Sequence, residues 1–265
     1  MGRLDGKTAF VTGAAQGLGE GIARRFAAEG AAVVLADRQD AGKVASSLPA
    51  GFEGRKSSAL VLDVTDGPAV EDALAAVTAE HGRLDVLVNN AGTYRVAAII
   101  DATDESFDAQ FAVNTRAVFV ASRAAGRIMR AQGSGRIINT ASQLAKVARA
   151  GYGLYSASKA AVVLMTQALA LELGPFGITA NCICPGSMAT ALLSDASGRP
   201  GFAVAAERGV DVNTAFADYI NASIPVGRLG EPADMGALAT WLASDESGFM
   251  TGAALNLTGG EQVFF

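Results

Sequence analysis

The chain has 265 residues, half of them hydrophobic, and a formal net charge of −5. This length fits one large domain, and the acidic balance, without a Lys/Arg block or stripe, argues against a nucleic-acid partner, whose phosphates need clustered positive charge. Two cysteines and one histidine are too few for a disulfide framework or a zinc cluster, so we expect no metal site.

Neither the start of the sequence nor its apolar stretches indicate export, lipidation or membrane insertion. The first ten residues lack an apolar h-region, and Gly6 stands where N-myristoylation requires Ser or Thr. The longest apolar stretch, residues 160–173, is shorter than the roughly 20 residues that span a bilayer. Gln167 and Glu172 interrupt it. We therefore expect a cytoplasmic protein without a membrane partner.

Seven short apolar runs alternate along the chain with longer helical patterns. The runs are rich in Val, Ile and Ala and continuously apolar, which is typical of parallel strands buried on both faces. They cover residues 8–13, 31–37, 59–64, 85–92, 135–142, 178–186 and 253–260. The pattern predicts an α/β fold, one domain over residues 1–265 with a doubly wound parallel sheet and helices on both faces. Cys182 and Cys184, in the sixth run, are expected to share a face and pack in or beside the core.

Glycines crowd between the first strand and the first helix, in TGAAQGLGEG. Glycine permits positive φ and lets backbone N–H groups approach a pyrophosphate at a helix N-terminus. The spacing Gly13-x-x-x-Gly17-x-Gly19 differs from the G-x-G-x-x-G fingerprint, and alone it is a weak signal. Asp37 ends the next strand, where a carboxylate can bind an adenosine ribose. The two features together favour a nucleotide-binding turn.

A second group of reactive residues follows the fifth strand. Ser142 comes directly after that strand, and YSASK places Tyr155 and Lys159 one helical turn apart, on one face. An isolated Tyr-x-x-x-Lys helix is more often an ordinary exposed pair. A nearby ammonium and a cationic nicotinamide would favour the phenolate and lower the tyrosine pKa, which is about 10 in model peptides.

These motifs resemble, in order and spacing, those of the short-chain dehydrogenase/reductase family, over essentially the whole chain. They comprise TGAAQGLG, NNAG at 89–92, Asn114, Ser142, YSASK and PGSMAT at 185–190. The resemblance implies a single-domain Rossmann-like fold with a seven-stranded sheet and reversible, metal-free hydride transfer between a nicotinamide cofactor and an alcohol or ketone. It also implies a homotetramer or homodimer.

The resemblance assigns catalytic roles to four residues. Tyr155 is the general acid/base, and Ser142 orients the substrate oxygen. Lys159 lowers the tyrosine pKa and binds the nicotinamide ribose, and Asn114 holds a water for proton relay. The expected cofactor-binding residues are Gly13, Gln16, Gly17, Leu18, Gly19, Asp37, Asp63, Val64, Asn90, Ala91, Gly92, Tyr155, Lys159, Pro185, Gly186, Ser187 and Thr190.

Three residues bear on which nicotinamide cofactor is used. Asp37 would repel the 2′-phosphate of NADP, and Gln16 stands where many NADP-dependent relatives carry a basic residue. Arg38 could bind a phosphate, but Asp37 would still oppose it. We expect NAD in preference to NADP.

The sequence says less about the substrate than about the cofactor. Candidates that flank the site by analogy are Tyr94, Arg95, Gln143, Lys146, Arg149 and Tyr152, of which Tyr94, Gln143 and Tyr152 are the expected substrate contacts. The Ser-Gln pair resembles that of sugar-alcohol and other secondary-alcohol dehydrogenases, so oxidation of a secondary alcohol, polyol or sugar is the first expectation. Reduction of a 3-oxoacyl or other keto substrate is the alternative. A binding-only nucleotide sensor is disfavoured because the Ser, Tyr and Lys are all present.

Two longer segments suggest further roles. Residues 187–225 lack a buried strand and follow a strand's carboxyl end, which predicts a substrate lid, with a structural helical excursion as the alternative. The helix over 156–173 is apolar on more than one face, so it is expected to pack partly on another subunit. The C-terminal EQVFF could meet a second partner.

Overall fold

The computed structural model of the chain describes residues 2–190 and 212–263. The seven predicted strands form one sheet in which all neighbouring strands pair in parallel. They are β1 (Thr8–Thr12), β2 (Ala32–Asp37), β3 (Ser58–Val61), β4 (Val86–Asn89), β5 (Gly135–Thr140), β6 (Ile178–Pro185) and β7 (Ala254–Leu257). The spatial order is β3-β2-β1-β4-β5-β6-β7, so the winding direction reverses between β1 and β4. Sheets of this kind bind ligands in the crevice beyond the carboxyl ends of those strands.

Helices pack on both faces of the sheet, as predicted. They are α1 (Gly17–Ala28), α2 (Gly42–Ser47), α3 (Gly67–His81), α4 (Asp104–Phe111), α5 (Ala117–Gln132), α6 (Gly153–Leu173), α7 (Val212–Ser223) and α8 (Pro232–Ala243). On one face α1 and α8 cover a core around Phe26, and on the other α3, α5 and α6 cover a core around Phe10. The continuous apolar character of the central strands follows from this burial on both sides.

Helix boundaries follow local capping signals. α3 begins where Asp66 accepts a backbone hydrogen bond (3.1 Å) and Pro68 occupies the first turn, and it ends at Gly82, whose φ is 76°. α8 begins with a capping box between Glu231 and Asp234. Both helices therefore start where side chains can satisfy backbone groups that a helix terminus leaves unpaired.

The burial predicted for all strands is wrong for β3 and β7. β1, β4 and β6 are buried at every position, whereas β3 is mostly exposed, with Val61 65% accessible, and no residue of β7 is fully buried. These two strands form the edges of the sheet, where the helices on either face cover them only in part.

The glycines after β1 serve two structural purposes. Gly13 and Gly17 have φ values of 64° and 60°, which other residues rarely adopt. A Cβ on Gly19 would clash with the carbonyl oxygen of Gly13, and a Cβ on Gly21 would clash with the carbonyl oxygen of Pro232 in α8. Two glycines therefore shape the turn, and the next two allow α1 to pack closely against the turn and against α8.

α6 lies against β6 and carries the predicted Tyr-Lys pair. Its buried residues include Lys159, Val162 and Thr166, whereas Leu164 and Leu171 are 67% and 82% exposed. By length and composition alone, the helical stretch 153–176 could cross a membrane, but it buries a lysine against the sheet. Apolar surface thus remains on the side of α6 that faces away from its own sheet.

The predicted lid falls partly on residues that the structure describes. α7 lies inside the 187–225 segment, and Met188 forms an isolated parallel bridge with Gly230. Residues 191–211 of the segment lie outside the described residues. The lid therefore stays a prediction.

Candidate active site

The glycine turn is held by side chains from the ends of two strands. Asn90, just after β4, donates from Nδ2 to the backbone oxygens of Thr12 (3.0 Å) and Gly13 (3.1 Å). The Thr12 hydroxyl accepts from the backbone N–H groups of Asn90 (2.9 Å) and Ala91 (3.1 Å). The predicted cradle residues Asn90 and Ala91 therefore fix the shape of the turn, whatever they contact in a ligand.

Asp37 lies beside this turn at the end of β2. Its Oδ2 accepts from the backbone N–H of Ala15 in the turn (3.0 Å), and its Oδ1 accepts from that of Gln39 (2.9 Å). Asp63, which follows β3, accepts from the hydroxyl and the backbone N–H of Thr65, and these bonds hold the pKa of its carboxyl below its usual value. The structure thus brings Asp37 to the turn, as predicted, and engages Asp63 in a local turn of its own.

The predicted catalytic residues meet where β5 ends. Tyr155 and Lys159 lie in the first turns of α6, and Lys159 Nζ donates to the backbone oxygen of Thr140, the last residue of β5 (2.8 Å). Ser142 follows, and its hydroxyl accepts from the backbone N–H of Leu144 (3.1 Å) while also interacting with Tyr155. These contacts connect the end of β5 to the first turns of α6.

Asn114 is fully buried in a π-helical turn, Ala112–Arg116, between α4 and α5. Its Nδ2 donates to the backbone oxygen of Thr93 (2.8 Å) and to the hydroxyl of Ser158 (3.0 Å), and its Oδ1 accepts from the Thr93 N–H (2.9 Å). Such π turns often aim a side chain at a functional site. The amide joins the loop after β4 to α6, and the predicted water relay stays a prediction.

Burial has the largest effect on the pKa values of Tyr155 and Lys159. Displacement of water raises the pKa of Tyr155 to about 12, against an opposing hydrogen bond with Ser142. Burial also lowers the pKa of Lys159 to about 8. Without a cofactor, desolvation of the phenol therefore outweighs any effect of the ammonium, whose hydrogen bond goes to Thr140. The lowering expected from the ammonium together with a cationic nicotinamide stays a prediction.

Two of the predicted substrate contacts gather around Tyr155. The ring of Tyr94 lies 5.9 Å from that of Tyr155 and 6.0 Å from that of Tyr152, measured between centroids. Gln143 is buried, and its Oε1 has no hydrogen-bond partner among the described residues. Lys146 instead donates to the backbone oxygen of Ala254 and to the side chain of Asn256, both in β7. The remaining two candidates are Arg95, which is exposed, and Arg149, which pairs with Glu261 at 3.8 Å.

The loop after β6 spans the crevice. Gly186 lies next to Gln143, because a Cβ there would be 3.2 Å from Gln143 Oε1. Four residues later, Thr190 Cγ2 lies 3.6 Å from the Cβ position of Gly17. The loop therefore reaches from the surroundings of Ser142 to the glycine turn.

Sequence reasoning missed Glu261 and Tyr219. The side chain of Glu261 is only 2% exposed, and its carboxylate accepts hydrogen bonds from Ser187 and from the hydroxyl of Tyr219. The expectation that EQVFF could meet a second partner stays a prediction, because its two Phe residues lie outside the described part, whereas the Glu261 side chain turns into the fold. Gly259 and Gly260, just before the acid, indicate a chain reversal but not what the acid would reach.

Both cysteines pack as predicted. Cys182 and Cys184 are free and fully buried in a cluster with Val118 and Val162. Within residues 2–190 and 212–263, no three His, Cys, Asp or Glu side chains gather in a way that could hold a metal ion.

The site geometry agrees with the similarity of the chain to known proteins. A family model described as Enoyl-(Acyl carrier protein) reductase, one of the short-chain dehydrogenase/reductase models, matches residues 13–262. The chain belongs to the short-chain dehydrogenase/reductase family. The fold, the family resemblance and the general activity as an oxidoreductase that uses NAD or NADP are confirmed.

Similar family members carry different activities in their names. Oxidoreductase UcpA of Salmonella typhimurium is 38% identical, over 99% of this chain and 97% of that protein. Sorbitol dehydrogenase of Cereibacter sphaeroides is 36% identical, over 97% and 98%. The 2,3-dihydro-2,3-dihydroxybenzoate dehydrogenase of Bacillus subtilis is 37% identical, over 97% and 96%. The crystal structure of gox2181 matches with a TM-score of 0.86 at 32% identity, over 99% and 98%.

Lys159→Met is expected to stabilise the protein at neutral pH. The lysine pKa falls from 10.5 in the unfolded chain to about 8 in the fold, so below pH 8 the folded protein bears the full cost of a buried charge. Removing that cost gains about 3 kcal/mol, less about 1 kcal/mol for the hydrogen bond lost at Thr140. Between pH 8 and 10.5 the wild-type lysine discharges in the fold, and the advantage shrinks.

Urea unfolding at pH 7 and pH 10 measures this difference. Lys43→Met, at an exposed position of α2, is the control and should change stability equally at both pH values. The burial cost would be contradicted if Lys159→Met did not raise the free energy of unfolding at pH 7. It would also be contradicted if the rise were the same at pH 7 and pH 10.

Proposed function

We propose that this short-chain dehydrogenase/reductase is an NAD-dependent dehydrogenase of a secondary alcohol, polyol or sugar. The observation that carries the proposal is that Tyr155 and Lys159 in α6 are joined to the end of β5 and to Ser142 after it. The ring of Tyr94 lies beside the phenol, and that of Tyr152 lies beside Tyr94. This arrangement supplies a proton-transfer group, a hydroxyl to orient the substrate and an apolar wall.

The residues around the crevice fit a dinucleotide. Gly92 lacks the Cβ that would stand 3.4 Å from both Lys159 Nζ and Asn114 Oδ1, which leaves an approach to the ammonium. Asp37 would hold the adenosine ribose, the glycine turn and the N-terminus of α1 would hold the pyrophosphate, and Lys159 would hold the nicotinamide ribose. When bound, the nicotinamide ring supplies the acceptor or donor of the hydride.

Tyr155 is assigned the proton step. Ser142 would orient the substrate oxygen, and Tyr155 would take its proton in oxidation or return one in reduction. Because burial raises the pKa of Tyr155 to about 12, the phenol is protonated at neutral pH, and the base form needed for oxidation grows as pH rises. The Lys159 charge, which favours the phenolate, is retained only below about pH 8.

A hydroxylated substrate is supported by the polar end of the site. Gln143 Oε1 is a buried acceptor without a donor among the described residues, and a second substrate hydroxyl could supply that donor. One similar relative is named a sorbitol dehydrogenase. Reduction of a keto substrate remains the second candidate, because the raised pKa of Tyr155 suits a proton donor and the matching model is described as a reductase.

Tyr155→Phe is expected to lower kcat by about 10²- to 10⁴-fold while NADH affinity changes by less than about twofold, since only the ionisable oxygen is lost. Steady-state assays on a panel of polyols, sugars and secondary alcohols, with NADH titrations, test this. Tyr152→Phe removes a neighbouring hydroxyl and should act mainly on KM. Retention of more than about a tenth of kcat in Tyr155→Phe would refute the role of the phenol.

Asp37→Ala is expected to shift the ratio of kcat/KM values for NADP and NAD about tenfold toward NADP, a change of about 1.4 kcal/mol. The substitution removes the charge that opposes a 2′-phosphate and leaves Arg38 free to pair with it. Asp40→Ala, in the same loop and exposed, is the control. An unmodified enzyme that already prefers NADP would show that Asp37 has been misassigned.

The proposal includes a homodimer or homotetramer. α5 and α6 border a groove lined in part by Val118, Met165 and Leu169, and Phe119 and Leu164 are exposed along these helices. Exposed apolar side chains on neighbouring helices are typical of a subunit contact.

Leu164→Glu is expected to lower the mass measured by light scattering after size exclusion, because it puts a charge into the contact. Ile100→Glu, at an even more exposed apolar residue outside α5 and α6, should leave the mass unchanged. A wild-type chain that is monomeric at micromolar concentration would refute the assembly.

A further inference from the structure

The carboxylate of Glu261 joins three segments of the chain. Its Oε2 accepts from the backbone N–H of Ser187 (2.8 Å), and its Oε1 accepts from the Ser187 hydroxyl (3.1 Å) and from the Tyr219 hydroxyl. Arg149, in the loop that leads to α6, lies 3.8 Å from Oε1. One side chain therefore connects the loop after β6, helix α7 and the approach to Tyr155.

The C-terminal segment is built to deliver this side chain. After β7, Gly259 and Gly260 have φ values of 60° and 86°, which reverse the chain, and the N–H of Glu261 donates to the backbone oxygen of Thr258 (3.0 Å). A Cβ on Gly186 would lie 2.8 Å from Glu261 Oε2. Glycine at 186 therefore leaves room for the carboxylate against the backbone of the loop.

Burial of this carboxylate is compensated by its partners. A buried charge is retained only when it is paired and hydrogen-bonded, and Glu261 has both kinds of partner. Burial and the bond to Glu261 raise the pKa of Tyr219, which keeps its hydroxyl protonated as a donor. The carboxylate and its partners therefore form a hydrogen-bonded polar cluster. None of the four predicted catalytic residues belongs to it.

The position of the loop after β6 determines which part of the crevice the Glu261 cluster can affect. Ala141, between β5 and Ser142, donates its N–H to the backbone oxygen of Ile183 in β6 (2.8 Å), so the two strand ends are fixed side by side. Gly186 lies next to Gln143, Ser187 follows it directly in the chain, and Thr190 reaches the glycine turn. A dinucleotide that runs from this turn to Tyr155 would pass along the loop, with its reacting end nearest Ser187.

We propose that Glu261 is a positioning residue that holds the Gly186–Ser187 end of this loop in place for the nicotinamide end of the cofactor. The inference rests on the proposed orientation of the cofactor but not on the proposed substrate. Glu261 would act through Ser187 and leave proton transfer to Tyr155. Its loss should weaken contacts at the nicotinamide end and spare those of the adenosine and pyrophosphate.

Glu261→Gln tests the inference by binding alone. The amide keeps the size of the side chain but loses its charge and one acceptor. We expect the Kd of NADH to rise about fivefold or more, whereas the Kd of ADP-ribose, which has no nicotinamide, should change by less than about twofold. Fluorescence titration for NADH and calorimetry for ADP-ribose give the two constants without any substrate, so failure of the proposed alcohol oxidation would not affect the result.

The matched control is Glu246→Gln, because Glu246 is 55% exposed and forms a surface ion pair with Arg3 (3.5 Å). It should leave both constants unchanged. An unaltered NADH Kd in Glu261→Gln would overturn the inference. Equal weakening of NADH and ADP-ribose would overturn it too, since that result indicates general loosening of the fold.

Tyr219→Phe keeps the inference testable if Glu261→Gln does not fold. It removes one donor to the carboxylate and should weaken NADH about two- to fivefold, again sparing ADP-ribose. In the double variant with Glu261→Gln, Tyr219→Phe should raise the NADH Kd by a smaller factor than it does alone, because both substitutions disrupt the same hydrogen-bonded cluster. Full additivity in the double variant, or a Tyr219→Phe variant that binds both ligands normally, would contradict the shared role.

Discussion

Lys159 reaches from α6 to the last carbonyl of β5, where its ammonium donates to Thr140. A lysine is rarely buried this deeply, because desolvation disfavours its charge, so the hydrogen bond to a strand end compensates part of a standing cost. The same bond sets the separation between α6 and the end of β5, and with it the approach of Tyr155 to Ser142. The lysine thus joins the helix that carries the phenol to the strand that leads to the serine.

Each loop around that pair is held by a polar side chain from elsewhere in the chain. Asn90 holds the turn after β1, Asn114 holds the loop after β4 against α6, and Glu261 holds the loop after β6. Amide and carboxylate groups suit this work because each can bind several backbone groups at once. Buried backbone groups without partners cost about 1–3 kcal/mol each, so these hydrogen bonds stabilise the loops in their observed conformations.

Periodic and local features of the sequence predicted most of the fold. They also placed Asp37 at the carboxyl end of a strand and Ser142 directly after another strand, as the structure has them, with Tyr155 near the start of a helix. Exposure of Val61 was not predictable, because an apolar run does not encode whether its strand lies in the centre or at an edge. The raised pKa of Tyr155 depends on burial among several elements. Glu261 meets partners 42 and 74 positions earlier in the chain, beyond the reach of any local pattern.

The long-range ties around the crevice have a consequence for biosynthesis. The turn after β1 takes two of its hydrogen bonds from Asn90, 78 positions later, so it lacks these bonds until that residue has left the ribosome. At the opposite end of the crevice, Ser187 lacks its hydrogen bonds to Glu261 until that residue, which follows much later in the chain, has been synthesised. A nascent chain therefore completes the two ends of the crevice at different times, and the later-made segment that carries Glu261 completes the end next to Ser187.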